Sequence, residues 1–244
     1  MMIRSAVLSV LIICLLIPSI GFAQSQSVKE SQITISSSGW NLTGDLLLPK
    51  SGGEVPAVLL LHKANGDRQV YTELANELAK RGIASLRLDL RGHGASTNLG
   101  KFEPGKNNPD PLIWDAEQDV MAALRYMKMH PRLDSTRLGA VGASYSGEEL
   151  AEAGRQMGFI NAYVELSPGS FSDESIAGID TSGVPWLFIV SNNERYLTQI
   201  TQAVREKSKS VELVVIPGTA HASDILEYQN GITERIAVWL ASNL

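Results

Sequence analysis

The chain of 244 residues carries 21 Lys and Arg against 26 Asp and Glu, a formal net charge of -5, and 44% of its residues are hydrophobic while 19% are charged. This composition excludes an intrinsically disordered chain and suits one large α/β domain. Because the sequence contains no basic patch, it also argues against nucleic-acid binding.

The first 23 residues have the pattern of a secretory signal peptide. Arg4 gives a positive start, residues 6–17 are uncharged, and small residues precede a predicted cleavage site after Ala23. A retained membrane anchor is the alternative, but the apolar run is shorter than the roughly 20 residues of a spanning helix. We therefore expect a periplasmic or secreted protein, free of the membrane in its mature form, with a single domain over residues 24–244.

Cys14, the only cysteine of the sequence, lies inside this predicted signal peptide. After cleavage the chain would have no thiol, which excludes disulfides, a thiolate nucleophile and cysteine-ligated metals. No His, Asp and Glu residues show a convincing metal-ligand spacing either. We expect neither a metal nor a cofactor.

Beyond the signal peptide, apolar runs alternate with helical patterns. The predicted strands lie near residues 33–35, 40–48, 57–61, 83–90, 138–142, 162–166, 185–190 and 211–216, and helical patterns separate most of the later ones. This alternation predicts an α/β fold with a mostly parallel sheet and helices on both faces. Only residues 169–184 separate two late strands, which is too short a segment for a large cap domain.

Residues 138–147, Leu-Gly-Ala-Val-Gly-Ala-Ser-Tyr-Ser-Gly, predict a strand, an abrupt turn and a helix with Ser144 at the turn. A nucleophile elbow has this pattern, with small residues two before and two after the serine because strand and helix pass close together. Gly142 and Ser146 occupy those positions, although glycine is usual at the second. A plain turn rich in glycine and serine is the alternative.

Three polar residues that could form a catalytic triad follow predicted strands in the order Ser144, Glu194 and His221. In parallel sheets such strand ends share one edge, where sites form. A serine needs an imidazole to take its proton, and a carboxylate to orient that imidazole. Glu194 could instead be a helix-start acid favoured by the helix dipole. Glu165 competes for the acid role but lies inside a strand.

With these features the sequence resembles the α/β-hydrolase family from about Ile33 to its C-terminus, and its compact layout is most similar to dienelactone-hydrolase-type members and small esterases. The resemblance rests also on His62 after the third strand and on residues 89–94, Asp-Leu-Arg-Gly-His-Gly, after the fourth. It implies an oxyanion hole built from the backbone N–H groups of Tyr145 and Lys63. Many members have glycine where Lys63 stands.

The sequence therefore predicts an exported serine hydrolase that cleaves small carboxylic esters or lactones through an acyl-enzyme on Ser144. A serine peptidase is the alternative within the enzymes, and a non-catalytic binding protein of the same fold is the alternative outside them. Trp114, Phe102 and Tyr145 are candidate pocket residues, whereas His62 and His93 are expected to be structural. The sequence leaves the oligomeric state open.

Overall fold

The computed structural model describes residues 28–105, 111–169 and 171–244. The predicted signal peptide, its cleavage site and Cys14 lie outside these ranges. Over the three described ranges, no helix is both long enough and apolar enough to cross a membrane.

An eight-stranded sheet forms the centre of the molecule, with the strand order β1-β2-β4-β3-β5-β6-β7-β8. The strands are β1 (Val28–Ser37), β2 (Trp40–Pro49), β3 (Val55–Leu61), β4 (Ala84–Leu88), β5 (Leu133–Ala143), β6 (Ala162–Leu166), β7 (Trp186–Ser191) and β8 (Val211–Ile216). The pairs β1–β2 and β2–β4 are antiparallel, and every other pair is parallel. The predicted mostly parallel sheet is therefore confirmed.

Helices cover both faces of this sheet. They are α1 (Thr72–Lys80), α2 (Pro111–Trp114), α3 (Glu117–Met129), α4 (Tyr145–Met157), α5 (Asp173–Ser182), α6 (Arg195–Lys207), α7 (Ile225–Tyr228) and α8 (Ile232–Asn243), with short 3-10 turns at Arg68–Tyr71 and Ala222–Asp224. Apolar side chains of α1, α7 and α8 pack on one face, and those of α3 to α6 pack on the other. Strand β3 is almost wholly buried for this reason, as its continuous apolar run predicts.

Helix α5 lies in the segment 169–184, where the sequence analysis predicts no element. Its signal is a cap, because the Ser172 hydroxyl accepts a hydrogen bond from the Ser175 N–H at 3.0 Å. Ile179 is buried in the core, but the helix has few other apolar residues, and its periodicity is correspondingly weak. Within the described ranges no large cap domain covers the sheet edge, as predicted.

Candidate active site

Ser144 lies at the turn between β5 and α4 in a strained conformation, with φ 56° and ψ -125°. Non-glycine residues seldom adopt a positive φ, and such strain persists only where neighbouring contacts impose it. Here the Ser144 N–H donates to the carbonyl of Leu166 at 3.1 Å, and its own carbonyl accepts from the N–H groups of Gly147 and Gly169, both at 3.0 Å. The end of β6 thus holds the serine at two backbone atoms.

The strand and helix of this elbow meet at Gly142 and Gly147. A Cβ on Gly142 would lie 2.6 Å from the Cα of Gly147, so the contact requires glycine there. The elbow pattern predicts small residues at Gly142 and Ser146, but the close contact is with Gly147, and the Ser146 hydroxyl makes hydrogen bonds instead. It is within 2.9 Å of the Ala143 N–H and 3.1 Å of the Leu61 carbonyl, which ties the elbow to the end of β3.

The structure brings the three predicted triad residues together. The His221 Nε2 lies 3.1 Å from the Ser144 Oγ, and the His221 Nδ1 lies 2.6 Å from the Glu194 Oε1. His221 follows β8, and Glu194 follows β7, so parallel pairing of these two strands sets their spacing. Ala222, directly after the histidine, also has a positive φ of 55°. The arrangement can pass a proton from the serine to an imidazole that a carboxylate orients.

The second oxygen of Glu194 is held as firmly as the first. Its Oε2 accepts from the Ser167 hydroxyl at 2.7 Å and from the Ser191 N–H at 2.9 Å. Burial by itself would raise the pKa of Glu194, but the hydrogen bonds from His221, Ser167 and Ser191 outweigh it and lower the pKa. Although α6 begins at the next residue, the Glu194 side chain does not cap that helix.

Glu165, the competing acid, is fully buried inside β6. Neither of its carboxyl oxygens has a hydrogen-bond partner among the described residues, and His221 is one of those. Burial first, and repulsion from Glu148 second, raise its pKa well above the usual range. Glu194 is therefore the carboxylate that contacts the histidine.

Of the two predicted oxyanion donors, Lys63 lies in the loop after β3 and Tyr145 lies at the start of α4. Tyr145 is the first residue of α4, where N–H groups have no acceptor within the helix. The Lys63 N–H has no acceptor among the described residues. The Lys63 Nζ lies 2.5 Å from the Asp224 Oδ2, and the Asp224 N–H donates to the His221 carbonyl at 3.1 Å. This partly exposed ion pair connects the loop after β3 with the histidine loop.

His62 is a structural residue whose ring connects the Lys63 loop to the segment that follows β4. Its Nδ1 donates to the Lys63 carbonyl at 2.8 Å, and its Nε2 accepts from the Leu90 N–H at 3.1 Å. Burial, reinforced by His93, lowers the pKa of His62 to about 4, so the ring is neutral. Over the described residues, no group of three or more His, Cys, Asp or Glu could hold a metal ion.

A cleft of about 460 Å³ opens beside Ser144. Its walls include the predicted residues Trp114 and Tyr145. Six further lining residues were not predicted from the sequence: Ile113, Glu148, Glu149, Gly169, Phe171 and Ser172. The third predicted pocket residue, Phe102, instead stacks on His93 with ring centroids 4.7 Å apart. Glu148 and Glu149 directly follow the elbow, a position from which their place in the cleft could have been inferred.

This chain is similar to two curated proteins in sequence and to a solved structure in fold. A probable 2-oxo-3-(5-oxofuran-2-ylidene)propanoate lactonase of Bradyrhizobium sp. is 24% identical over 81% of this chain and 85% of its own. The esterase EstD of Thermotoga maritima is 23% identical over 84% of this chain, which spans 48% of that relative. The crystal structure of a dienelactone hydrolase from Anabaena variabilis superposes with a TM-score of 0.68 at 20% identity, covering 88% of this chain and 96% of that one.

The match to a known family covers residues 38–167 of 244, from the turn between β1 and β2 through the elbow to the end of β6. These residues include Ser144 and the segment that holds it, whereas Glu194 and His221 follow in the same sheet. The family so matched is described as X-Pro dipeptidyl-peptidase (S15 family). Since more than half of the sequence fits it and the fold is that of the α/β-hydrolases, this chain belongs to that family.

Proposed function

We propose that this chain is an exported serine hydrolase that cleaves small carboxylic esters or lactones through an acyl-enzyme on Ser144. The observation that carries the proposal is the continuous contact from the Ser144 Oγ through His221 to Glu194, at 3.1 Å and 2.6 Å. The relatives named as an esterase and a lactonase support ester bonds as the target. Export rests on the sequence pattern of residues 1–23.

In the first half of the reaction, the Ser144 hydroxyl attacks the acyl carbon while the His221 Nε2 takes its proton. Glu194 holds the His221 Nδ1–H, which leaves Nε2 unprotonated and stabilises the imidazolium that forms. The backbone N–H groups of Lys63 and Tyr145 stabilise the negative charge on the carbonyl oxygen of the tetrahedral intermediate. The imidazolium then protonates the leaving alcohol, and an ester of Ser144 remains.

In the second half, water replaces the alcohol. His221 accepts a proton from the water as it attacks the acyl-enzyme, and it returns that proton to the Ser144 oxygen as the ester bond breaks. The product is a carboxylic acid, and the free enzyme is restored. The pair Lys63–Asp224 keeps the oxyanion loop and the histidine loop together through both halves.

The walls of the cleft favour esters without a negative charge. Ile113, Trp114 and Phe171 provide apolar surface, and no Lys or Arg belongs to the described lining. Two carboxyl groups, those of Glu148 and Glu149, lie there instead. Burial, reinforced first by Glu117, raises the pKa of Glu149 to about 8, so this group is mostly protonated at neutral pH. A carboxylate on the substrate would find no cation here and would repel any ionised glutamate.

A fluorophosphonate probe and a matched pair of substrates test the proposal. The probe should label the wild type at Ser144 and should leave Ser144→Ala unlabelled. The wild type should hydrolyse p-nitrophenyl butyrate with a higher kcat/KM than p-nitrophenyl succinate, which has a similar chain with a carboxylate. Equal labelling of both proteins would refute the nucleophile. An unlabelled and inactive wild type would favour a binding protein.

A peptidase is the second candidate, because the matched family is described as X-Pro dipeptidyl-peptidase. An ionised Glu148 could bind the N-terminal ammonium of a peptide in the same cleft. The discriminating substrate is a dipeptidyl p-nitroanilide with proline in second place. A kcat/KM for this amide above that for p-nitrophenyl butyrate would assign the protein to the peptidases.

A further inference from the structure

Glu165 has no place in the reaction above, yet it lies directly beneath the nucleophile. In the parallel pairing of β5 and β6 it is opposite Gly142, and its side chain is fully buried. A Cβ on Gly147 would lie 2.2 Å from the Glu165 Oε2, and a Cβ on Gly142 would lie 2.8 Å from it. The carboxyl group therefore occupies the space that side chains at both elbow glycines would otherwise take.

The residues that follow Glu165 make hydrogen bonds to both Ser144 and Glu194. Leu166 and Gly169, which follow Glu165, make the backbone hydrogen bonds to Ser144. Ser167, between them, donates to Glu194 and has a strained φ of 41°. A displacement of the Glu165 side chain would thus move the serine from below and would act on the acid through the same short segment.

The surroundings of Glu165 keep its carboxyl group uncharged. Both oxygens are buried without a hydrogen-bond partner in the described part of the chain. The titratable groups around it are Glu148 on α4, Tyr71 in the turn before α1, and Tyr163 on the same strand. None of these supplies a positive charge, and an unpaired carboxylate in such a place is strongly disfavoured.

A buried polar group without a partner is rare in native structures and calls for an explanation. Leucine or glutamine at position 165 would fill a similar volume without an ionisable group, so filling space does not by itself account for a glutamate here. We propose that Glu165, as a neutral carboxylic acid, is a positioning residue for Ser144: it fills the space under Gly142 and Gly147 and sets the height of the elbow. Ionisation at alkaline pH would then displace the serine and lower kcat reversibly.

The inference rests on Ser144 being the nucleophile, so fluorophosphonate labelling of the wild type comes first. Glu165→Gln keeps the shape and a neutral group, and we expect it to retain kcat and KM at neutral pH and to lose the alkaline decline. Glu165→Ala removes the support, and we expect kcat to fall roughly 10²-fold in the labelled fraction with KM unchanged, since a misplacement of about 1 Å has that cost. Tyr163→Phe, on the same strand and face, should keep the wild-type profile.

Infrared difference spectra give a readout independent of activity. The wild type minus Glu165→Gln at neutral pH should show the carbonyl band of a protonated carboxyl group. Its absence would overturn the inference, as would a Glu165→Gln profile that coincides with the wild type at alkaline pH. If Glu165→Ala is insoluble, Glu165→Gln and Tyr163→Phe still decide the matter. An unlabelled wild type would refute the nucleophile itself, which is a separate result.

Discussion

Replacement of Glu194 by glutamine tests the acid of the proposed triad. The native carboxylate accepts from three donors, the His221 Nδ1–H, the Ser167 hydroxyl and the Ser191 N–H. An amide has only one oxygen to offer them. In one orientation the oxygen serves Ser167 and Ser191, and the NH2 group then faces the histidine.

That orientation selects the wrong tautomer of His221. The amide donates to Nδ1, which forces the imidazole proton onto Nε2, and this nitrogen can no longer accept the proton of Ser144. The opposite orientation sets an NH2 group against the buried Ser191 N–H, at a cost of roughly 1–3 kcal/mol for the unsatisfied donors. The first orientation therefore predominates. We expect kcat to fall on the order of 10⁴-fold, as for a comparable triad acid, which corresponds to about 5 kcal/mol in the barrier.

The assay is the steady-state hydrolysis of one p-nitrophenyl ester, with Ser144→Ala as the blank and Glu165→Gln as the isosteric control on the competing acid. Folding is checked by circular dichroism before kinetics are compared. Glu165→Gln should keep its activity because Glu165 makes no hydrogen bond with His221. A folded Glu194→Gln with near wild-type kcat, or a larger loss in Glu165→Gln, would refute the assignment of the acid.

Two further predictions concern stability and processing. The pKa of His62 is lowered to about 4 in the folded chain, whereas a histidine in the unfolded chain has a pKa near 6.5, so the unfolded chain binds the proton first as the pH falls. The wild type should therefore lose about 3 kcal/mol of stability between pH 6.5 and pH 4. His62→Gln should lack this pH dependence when the free energy of unfolding is measured in urea. Mass spectrometry of protein recovered from its native host should give an N-terminus at Gln24, and a full-length, membrane-bound product would contradict the signal peptide.

The sequence predicted the central strands of the sheet well because β3, β4, β6 and β7 are buried on both faces. Residues 57–61 are continuously apolar, residues 162–166 are apolar except for Glu165, and the boundaries of both strands in the structure agree closely with the pattern. Helix α5 was not predicted because it has few apolar residues, and its N-terminal serine cap is the main sequence signal for it. The triad residues could be named because β5, β7 and β8 are parallel, which brings the residues after them to one edge.

Finer features of the site depend on contacts that no local pattern encodes. The close approach at Gly147 rather than Ser146 arises from how α4 packs on β5, and the Ser146 hydroxyl is accepted there because Leu61 of β3 offers a carbonyl. Likewise Phe102 stacks on His93 and is not among the residues that line the cleft. Such distances follow from the packing of elements far apart in sequence.

Glu165 and Glu194 differ in charge because they lie at different positions relative to the end of a strand. Both glutamates are near the carboxyl edge of the sheet, but Glu194 lies past the end of β7 and is surrounded by donors, which lower its pKa. Glu165 lies inside β6, so the regular alternation of the strand directs it under the elbow, where burial raises its pKa. Position relative to the strand end therefore decides which carboxyl is charged and can orient a histidine, and which is neutral and can only support the serine from below.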